Sequence, residues 1–421
     1  MKHIPNIKYT IRHDLCTGCG ICEGACPSQA ITTIVHKGNF RPIIDDNLCK
    51  NDKGCHRCYD SCPGIGIELR KIARENFTDS NIKSDKFVGL YLKCFTGYSN
   101  EHEIRYHSAS GGMVSQFLIW LLEHDKIDGA VVTAFDKEAP LMVRSYIATT
   151  REEILAGKSS KYAPVTLNHT IQDIKNAKGS RYVIVGLPCH IQGFCKYEKM
   201  DKKFRDKITG YFAIFCSSGR NFYLTEHVFN TRKINPSKLT YFAYRDNGCL
   251  GNLVAKGDGI EYEERFQSYY QPLRSFFVPH RCIMCIDHYG ELADISFGDI
   301  HIDPYISDTI GINSLIVRNS KFLNWLYEAK ADNTIRLDEI PIEVLNKGQV
   351  MAPIKKYRNS AFIRFYKIIG IKTPVYDYLP IGGNKFKQFI SFLHTNIQQI
   401  IGNNKPLWFL IKVFKGKAAD K

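Results

Sequence analysis

The stretch Cys16-Thr-Gly-Cys19-Gly-Ile-Cys22-Glu-Gly-Ala-Cys26-Pro27 spaces its cysteines C-x2-C-x2-C-x3-C-P. Three thiolates at that spacing wrap one corner of an iron–sulfur cubane, and small residues between them let backbone amides approach the sulfurs. The fourth cysteine points towards a second cluster, and Pro27 turns the chain after it. Cys49, Cys55, Cys58, Cys62 and Pro63 repeat the C-x2-C-x3-C-P ending. Lys-Asn-Asp-Lys-Gly widens their first gap, an insertion that leaves ligand convergence intact. The expected assignment is crossed: Cys16, Cys19, Cys22 and Cys62 on one cluster, Cys49, Cys55, Cys58 and Cys26 on the other. Structural zinc, the competing reading, favours paired C-x2-C knuckles.

Residues 1–75 resemble a two-cluster bacterial ferredoxin and are expected to form an α+β ferredoxin-like domain holding two [4Fe–4S] clusters. Fifteen cysteines fit the same picture, because without an export signal metal or redox chemistry is the default. The N-terminus has no apolar leader core, and no run approaches the ~18 apolar residues of a membrane span. A cytoplasmic protein is expected.

The chain has 421 residues, 44% hydrophobic and 24% charged, which excludes disorder over most of its length. Its formal charge is +15, but residues 348–421 alone carry 13 basic against 2 acidic residues. The remainder is nearly balanced, so no nucleic-acid partner is expected.

Residues 85–345 alternate short apolar runs with helical patterns, in an N-terminal part of about 85–165 and a C-terminal part of about 170–345. Strands are expected over 128–135, 181–185, 210–215 and 293–297. A helix is expected over 110–124, where Val114, Phe117, Leu118, Leu121 and Leu122 recur at helical spacing. This is an α/β domain. Cys189 and Cys216 each follow a strand directly, where α/β sheets build their sites. Cys282 and Cys285 form a C-x2-C pair. The four together could ligate a third cluster; buried inert thiols and zinc are the alternatives. Cys94, Cys195 and Cys249 read as packing residues.

Ser108-Ala-Ser110-Gly111-Gly112 precedes the helix, where serine can cap and paired glycines can expose amides to a phosphate. A plain helix cap is the simpler reading. Gly157-Lys158-Ser159-Ser160-Lys161-Tyr162 is either a phosphate loop or a polar turn.

Taken in order, these pieces resemble the beta subunits of coenzyme F420-reducing hydrogenases and dehydrogenases (F420 is a deazaflavin). The resemblance rests on Ser110-Gly111-Gly112, Ser160-Lys161-Tyr162, Gly186-Leu-Pro188-Cys189-His-Ile-Gln192-Gly193, Phe215-Cys216, Tyr244-Arg245-Asp246, Cys282-Ile-Met-Cys285, Ala293-Asp294-Ile-Ser-Phe-Gly298-Asp299 and Gly311-Ile-Asn-Ser314-Leu-Ile-Val317. It implies an α/β domain binding FAD beside one [4Fe–4S] cluster. It implies Cys189, Cys216, Cys282 and Cys285 as cluster ligands, and Ser110, Gly111, Gly112, Ser160, Lys161 and Tyr162 as flavin-binding positions.

The expected function is an iron–sulfur flavoprotein oxidoreductase. Its partners would be ferredoxin or another redox protein, and a small organic hydride acceptor such as coenzyme F420. The alternative is an electron-transfer subunit without a substrate of its own. Lys161 would stabilise negative charge on the flavin or its diphosphate. His190, beside a proposed ligand, is a proton donor or a hydrogen-bond strut. Residues 346–421 are expected to be a basic helical tail. Phe386, Phe389, Ile390, Leu393, Ile397, Ile400 and Ile401 line one helical face, with Trp408 and Lys412, Lys415 and Lys417 beyond. Such a helix either packs on the core or makes a peripheral contact with the inner membrane face.

Overall fold

The computed structural model describes residues 5–136, 139 and 141–416. Its centre is an eight-stranded sheet of β1 (Lys93–Ser99), β2 (Gly129–Phe135), β3 (Val143–Ala148), β4 (Tyr182–Gly186), β5 (Ile208–Ile214), β6 (Ile295–Asp299), β7 (Asn313–Val317) and β8 (Ile335–Ile340). The order across it is β8-β1-β7-β6-β5-β4-β2-β3. The central β2, β4, β5 and β6 run parallel, and the remaining pairings are antiparallel.

Side chains of the parallel strands alternate between two apolar layers, as the two-residue period of a strand demands. Val131, Ile184, Tyr211 and Ala213 join one layer, with Ile191 and Phe194 of α2 (Pro188–Glu198). Val132, Val183 and Phe212 join the other, with Phe117 and Trp120 of α1 (Met113–Glu123). Both faces are covered, so these strands read as continuous apolar runs. Cys189 and Cys216 consequently lie just past the carboxyl ends of β4 and β5, on the same rim of the sheet.

The N-terminal unit consists of short helical turns and the hairpin Ile31–His36 with Asn39–Ile44. It is not a bead on a linker. Cys19, Ile21, Ile67 and Leu69 belong to the same core as α2. A Cβ on Gly193 of α2 would stand 2.8 Å from Ile21 Cγ1, so glycine there permits the close approach.

Residues 346–416 do not form a tail apart from the rest. Val375–Tyr376 adds a parallel strand to Gly66–Ile67. Phe362, Ile363 and Tyr366 of α3 (Met351–Ile368) are buried in the α2 layer. α4 (Lys385–Asn403) then crosses α3 through the Phe365–Phe392 and Tyr366–Phe392 ring contacts. Trp408 is not presented outward. Its indole donates to the Gly402 carbonyl at 3.0 Å and its ring packs edge-on against His227 and Phe277. Lys417 lies outside the described residues.

Candidate functional site

Cys189, Cys216, Cys282 and Cys285 line one cavity, although 96 residues separate the first from the last. Two arrive on strand ends; the other two arrive on the turn His280–Met284 and just after it. Cys16 and Arg41 of the N-terminal unit line the same cavity. Burial raises the Cys189 thiol well above its ordinary value, and the nearby thiols of Cys19, Cys216, Cys282 and Cys285 add to it. The two cysteine sets of the chain therefore meet across this space.

Within the N-terminal unit, burial pushes the Cys19 and Cys58 thiols up to about 12. The thiols acting further on Cys19 are Cys62 and Cys16; those acting on Cys58 are Cys26, Cys55 and Cys49. Each set draws on both cysteine runs. Cys22 is influenced by Cys19, Cys16, Cys62 and Cys58, and so sits between them.

No group of three or more His, Cys, Asp or Glu side chains among the described residues is drawn together as a single metal ion requires. The chemistry of the second set suits a bulkier anionic body. Lys355 of α3 is 1% exposed and faces these cysteines. Its ammonium donates to the carbonyls of Cys216 at 2.6 Å and Asp287 at 2.7 Å, and no carboxylate among the described residues pairs with it. Burial alone would lower its pKa, but the neighbouring Cys285, Cys216 and Cys282 and the Asp287 carboxylate raise it. Asp287 supplies the carboxylate that acts on this buried cation, and the cysteine thiols beside it would add negative charge when deprotonated. Asn359, one helical turn on, donates to the carbonyls of Cys285 at 2.7 Å and Cys282 at 3.3 Å. Neither residue was singled out by the sequence pattern.

The two units are also clamped through their cysteine loops. Arg281, next to Cys282, donates to the carbonyls of Gly64 at 2.8 Å and Pro63 at 3.1 Å. Lys196 of α2 donates to the Cys62 carbonyl at 2.7 Å. Buried Arg281 and partly buried Lys196 thus hold the Cys62-Pro63-Gly64 segment against the α/β domain.

The segments expected to hold a flavin converge on Arg245. Its guanidinium pairs with Asp299 at 2.9 Å, lies 3.5 Å from the Tyr162 hydroxyl and donates to the Ala109 carbonyl. Ser159 donates in turn to the Arg245 carbonyl. One buried arginine therefore ties together the 108–112 segment, the 157–162 loop and the end of β6. Arg245 lay within a quoted motif, yet nothing in the sequence marked it as the hub. Tyr162 packs against Tyr270 and Phe266, with ring centroids at 4.4 and 5.3 Å. Ser160 bonds to its hydroxyl.

Other expectations need correction. Ser110 does not cap α1, because its hydroxyl donates to the Ile312 carbonyl at 2.7 Å. Gly112, at φ +73°, precedes the helix, and the Met113 amide donates to Asn313 Oδ1 at 3.1 Å. Gly111 lets Gly97 and Asn313 approach, since a Cβ there would stand 2.7 Å from the Gly97 carbonyl. Lys161 folds back on its own turn and donates to the carbonyls of Gly157 and Lys158 at 2.6 Å and Ser159 at 3.1 Å. Burial of the ammonium, with Lys158 nearby, lowers its pKa to about 7. His190 has both ring nitrogens occupied. Nδ1 accepts from the Leu187 amide at 3.1 Å, and Nε2 faces the Val165 carbonyl at 3.2 Å. Burial lowers its pKa to about 4, which favours the neutral ring. Cys94 and Cys195 are buried in the core and Cys249 is partly exposed.

Three family models match the chain. Two describe the beta subunit of coenzyme F420 hydrogenase/dehydrogenase: its N-terminal part matches residues 94–172, and its C terminus matches 179–343. A 4Fe-4S binding domain matches 9–32. The chain is 24% identical over 369 residues to the coenzyme F420-dependent sulfite reductase of Methanocaldococcus jannaschii, covering 84% of this chain and 52% of that protein. It therefore spans about half the length of that relative. It is 24% identical over 232 residues to the coenzyme F420 hydrogenase subunit beta of Methanosarcina barkeri, covering 51% of this chain and 73% of that one. A chain in a structure of the F420-reducing [NiFe] hydrogenase complex from Methanosarcina barkeri shares the fold. Its TM-score is 0.55 and its identity 19%, covering 71% of this chain and 99% of that chain.

Proposed function

The chain belongs to the coenzyme F420 hydrogenase/dehydrogenase beta-subunit family, and from that footing we propose that it is an iron–sulfur flavoprotein oxidoreductase. It exchanges electrons with a redox protein such as ferredoxin and reduces a small organic hydride acceptor, coenzyme F420 or a related molecule. The observation that supports this best is the meeting of the two cysteine sets across one cavity, beside the buried Lys355.

In this reading Cys16, Cys19, Cys22 and Cys62 hold one [4Fe–4S] cluster, and Cys26, Cys49, Cys55 and Cys58 a second. Cys189, Cys216, Cys282 and Cys285 hold a third. FAD occupies the neighbourhood of Ser110, Gly111, Gly112, Ser160, Lys161 and Tyr162. When bound, the clusters supply one-electron carriage and the flavin supplies the conversion to two-electron hydride chemistry.

The chain's own side chains do the positioning. Arg281 and Lys196 keep the Cys62 loop against the α/β domain. Lys355 and Asn359 fix the carbonyls of Cys216, Cys282 and Cys285 and set a positive charge beside the thiols. Arg245 holds the flavin segments in register. Lys161 now bonds the carbonyls of its own turn and would have to leave them to reach the flavin's anionic groups, and His190 steadies the turn that carries Cys189.

A second reading is favoured by the names of several relatives, which describe them as subunits. In it the chain relays electrons to a catalytic partner. One assay separates the two. The anaerobic protein, reduced with dithionite, is offered coenzyme F420 and a panel of hydride acceptors. Turnover of any acceptor supports the enzyme, and reduced clusters without acceptor reduction support the relay.

A further inference from the structure

α4 is amphipathic in the inverted sense. Its polar residues are the buried ones. Thr395, Gln398 and Gln399 are nearly fully enclosed; Gln399 donates to the Val278 carbonyl at 2.8 Å and Gln398 to the Phe414 carbonyl at 3.0 Å. Its large apolar side chains other than Phe392, which packs against α3, face largely outward. Phe386 is 71% exposed and Ile400 58%, with Phe389, Ile390, Leu393 and Ile397 exposed between them. Ile401 alone of the expected face is buried, at 3%. The stripe from Phe386 to Ile400 is about 21 Å long at the rise of an α-helix. It continues onto Ile368 and Ile369 at the end of α3, which α4 meets through the Phe365–Phe389 ring contact. An exposed apolar patch of this kind marks an interaction surface.

The charge around the stripe decides what covers it. Residues 378–419 contain no Asp or Glu but six lysines and His394. Lys385, Lys387, Lys412 and Lys415 pair with no carboxylate among the described residues, whereas Lys405 is taken by Glu226. Phe386, Ile390, Leu393, Ile397 and Ile400 do recur in alternating steps of four and three, the spacing of a coiled-coil seam. A parallel second copy would nonetheless bring Lys385 and Lys387 against their own counterparts, which disfavours that pairing. An apolar helix face edged with unpaired cations fits an anionic lipid surface, with the helix lying in the interface. No helix among the described residues is long and apolar enough to cross a membrane.

We propose that α4 docks the protein on an anionic lipid surface, with Phe386, Phe389, Ile390, Leu393, Ile397 and Ile400 inserted among the acyl chains and Lys385 and Lys387 facing the headgroups. The contact does not depend on the redox chemistry proposed above. It would hold the protein at a membrane while the cysteine-lined cavity stays with the folded core.

The test is co-sedimentation of the full cofactor-loaded chain with vesicles of phosphatidylcholine, and with vesicles of phosphatidylcholine and phosphatidylglycerol in equal parts. Binding to the anionic vesicles is expected to exceed binding to the neutral ones by at least about tenfold and to fall with added salt. The triple variant F386S/I390S/L393S should abolish it, and K385Q/K387Q should weaken it about tenfold or more. The altered side chains are exposed, so flavin content and circular dichroism should be unchanged. No binding by the wild-type chain would overturn the proposal, as would binding that survives the triple variant. A wild-type dimer that the triple variant converts to monomer would also overturn it, assigning the face to a second copy.

Discussion

Lys355 Nζ lies 2.6 Å from the carbonyl oxygen of Cys216, and the two residues are 139 apart in sequence. The lysine comes from a helix beyond the region that the family models match, which ends at residue 343. It nevertheless brings a charge to these thiols, whereas the neighbouring Lys356 is paired with Glu291 at 2.8 Å. A fixed cation beside a redox centre favours the reduced, more negative state. Lys355→Met is therefore expected to lower the midpoint potential of the cluster proposed at these cysteines, by on the order of 100 mV for a unit charge at low effective dielectric. Lys355→Arg should preserve most of it. Potentiometric titration followed by electron paramagnetic resonance reads the shift. Unchanged potential with full iron content would show that Lys355 does not tune the cluster.

Lys161 carries a pH prediction. Its ammonium is lowered to about 7 by burial and by Lys158, so in the flavin-free protein it loses its proton as pH rises through 7. Flavin retention is expected to weaken above pH 7 and strengthen below it. Lys161→Ala should weaken retention about tenfold and flatten the pH dependence. The sign for folding is opposite. The unfolded lysine keeps its proton to about pH 10.4, so between 7 and that value the unfolded chain binds the extra proton. Stability of the flavin-free protein should therefore rise with pH across this window. Flavin fluorescence titrations and denaturant melts at several pH values measure the two effects.

Arg245→Met should cost about 3 kcal/mol or more, because it leaves Asp299 without its buried partner. It also frees the 108–112 segment from the 157–162 loop, so flavin should be lost along with stability. Urea unfolding and flavin content test both. A variant as stable as the wild type would show that the hub is dispensable.

Gly193→Val probes the contact between the two units. Its new side chain would meet Ile21, and overpacking of this kind costs about 1–3 kcal/mol. Dithionite should still reduce the N-terminal clusters at the wild-type rate, while reduction of the flavin slows. Stopped-flow absorbance distinguishes them, and equal slowing of both phases would argue against a path through this interface.

The chain announces the parts of this site that are local. The spacing of Cys16 to Pro27 and of Cys55 to Pro63 needs only a few residues to read. The strands before Cys189 and Cys216 declare themselves as apolar runs ending at a glycine or a cysteine. The parts that stayed hidden are set by long-range contacts. Asn313, not Ser110, bonds the first amide of α1, from 200 residues away. Lys355 sits in a basic stretch whose composition reads as a solvated tail, and only the packing of α3 turns it inward. Arg245 looks like one more charge at a strand end until three segments close around it. The α4 stripe is the converse case. Its periodicity is plain, but which face points outward depends on where Gln398 and Gln399 find their partners.

The most direct measurement is iron and acid-labile sulfide in anaerobically purified wild-type protein beside Cys282→Ser, with flavin content in both. About twelve iron and twelve sulfide with one FAD per chain are expected in the wild type, and about eight of each in the variant. About eight iron in both proteins would contradict a cluster at Cys189, Cys216, Cys282 and Cys285, and with it the meeting of two redox centres across the cavity.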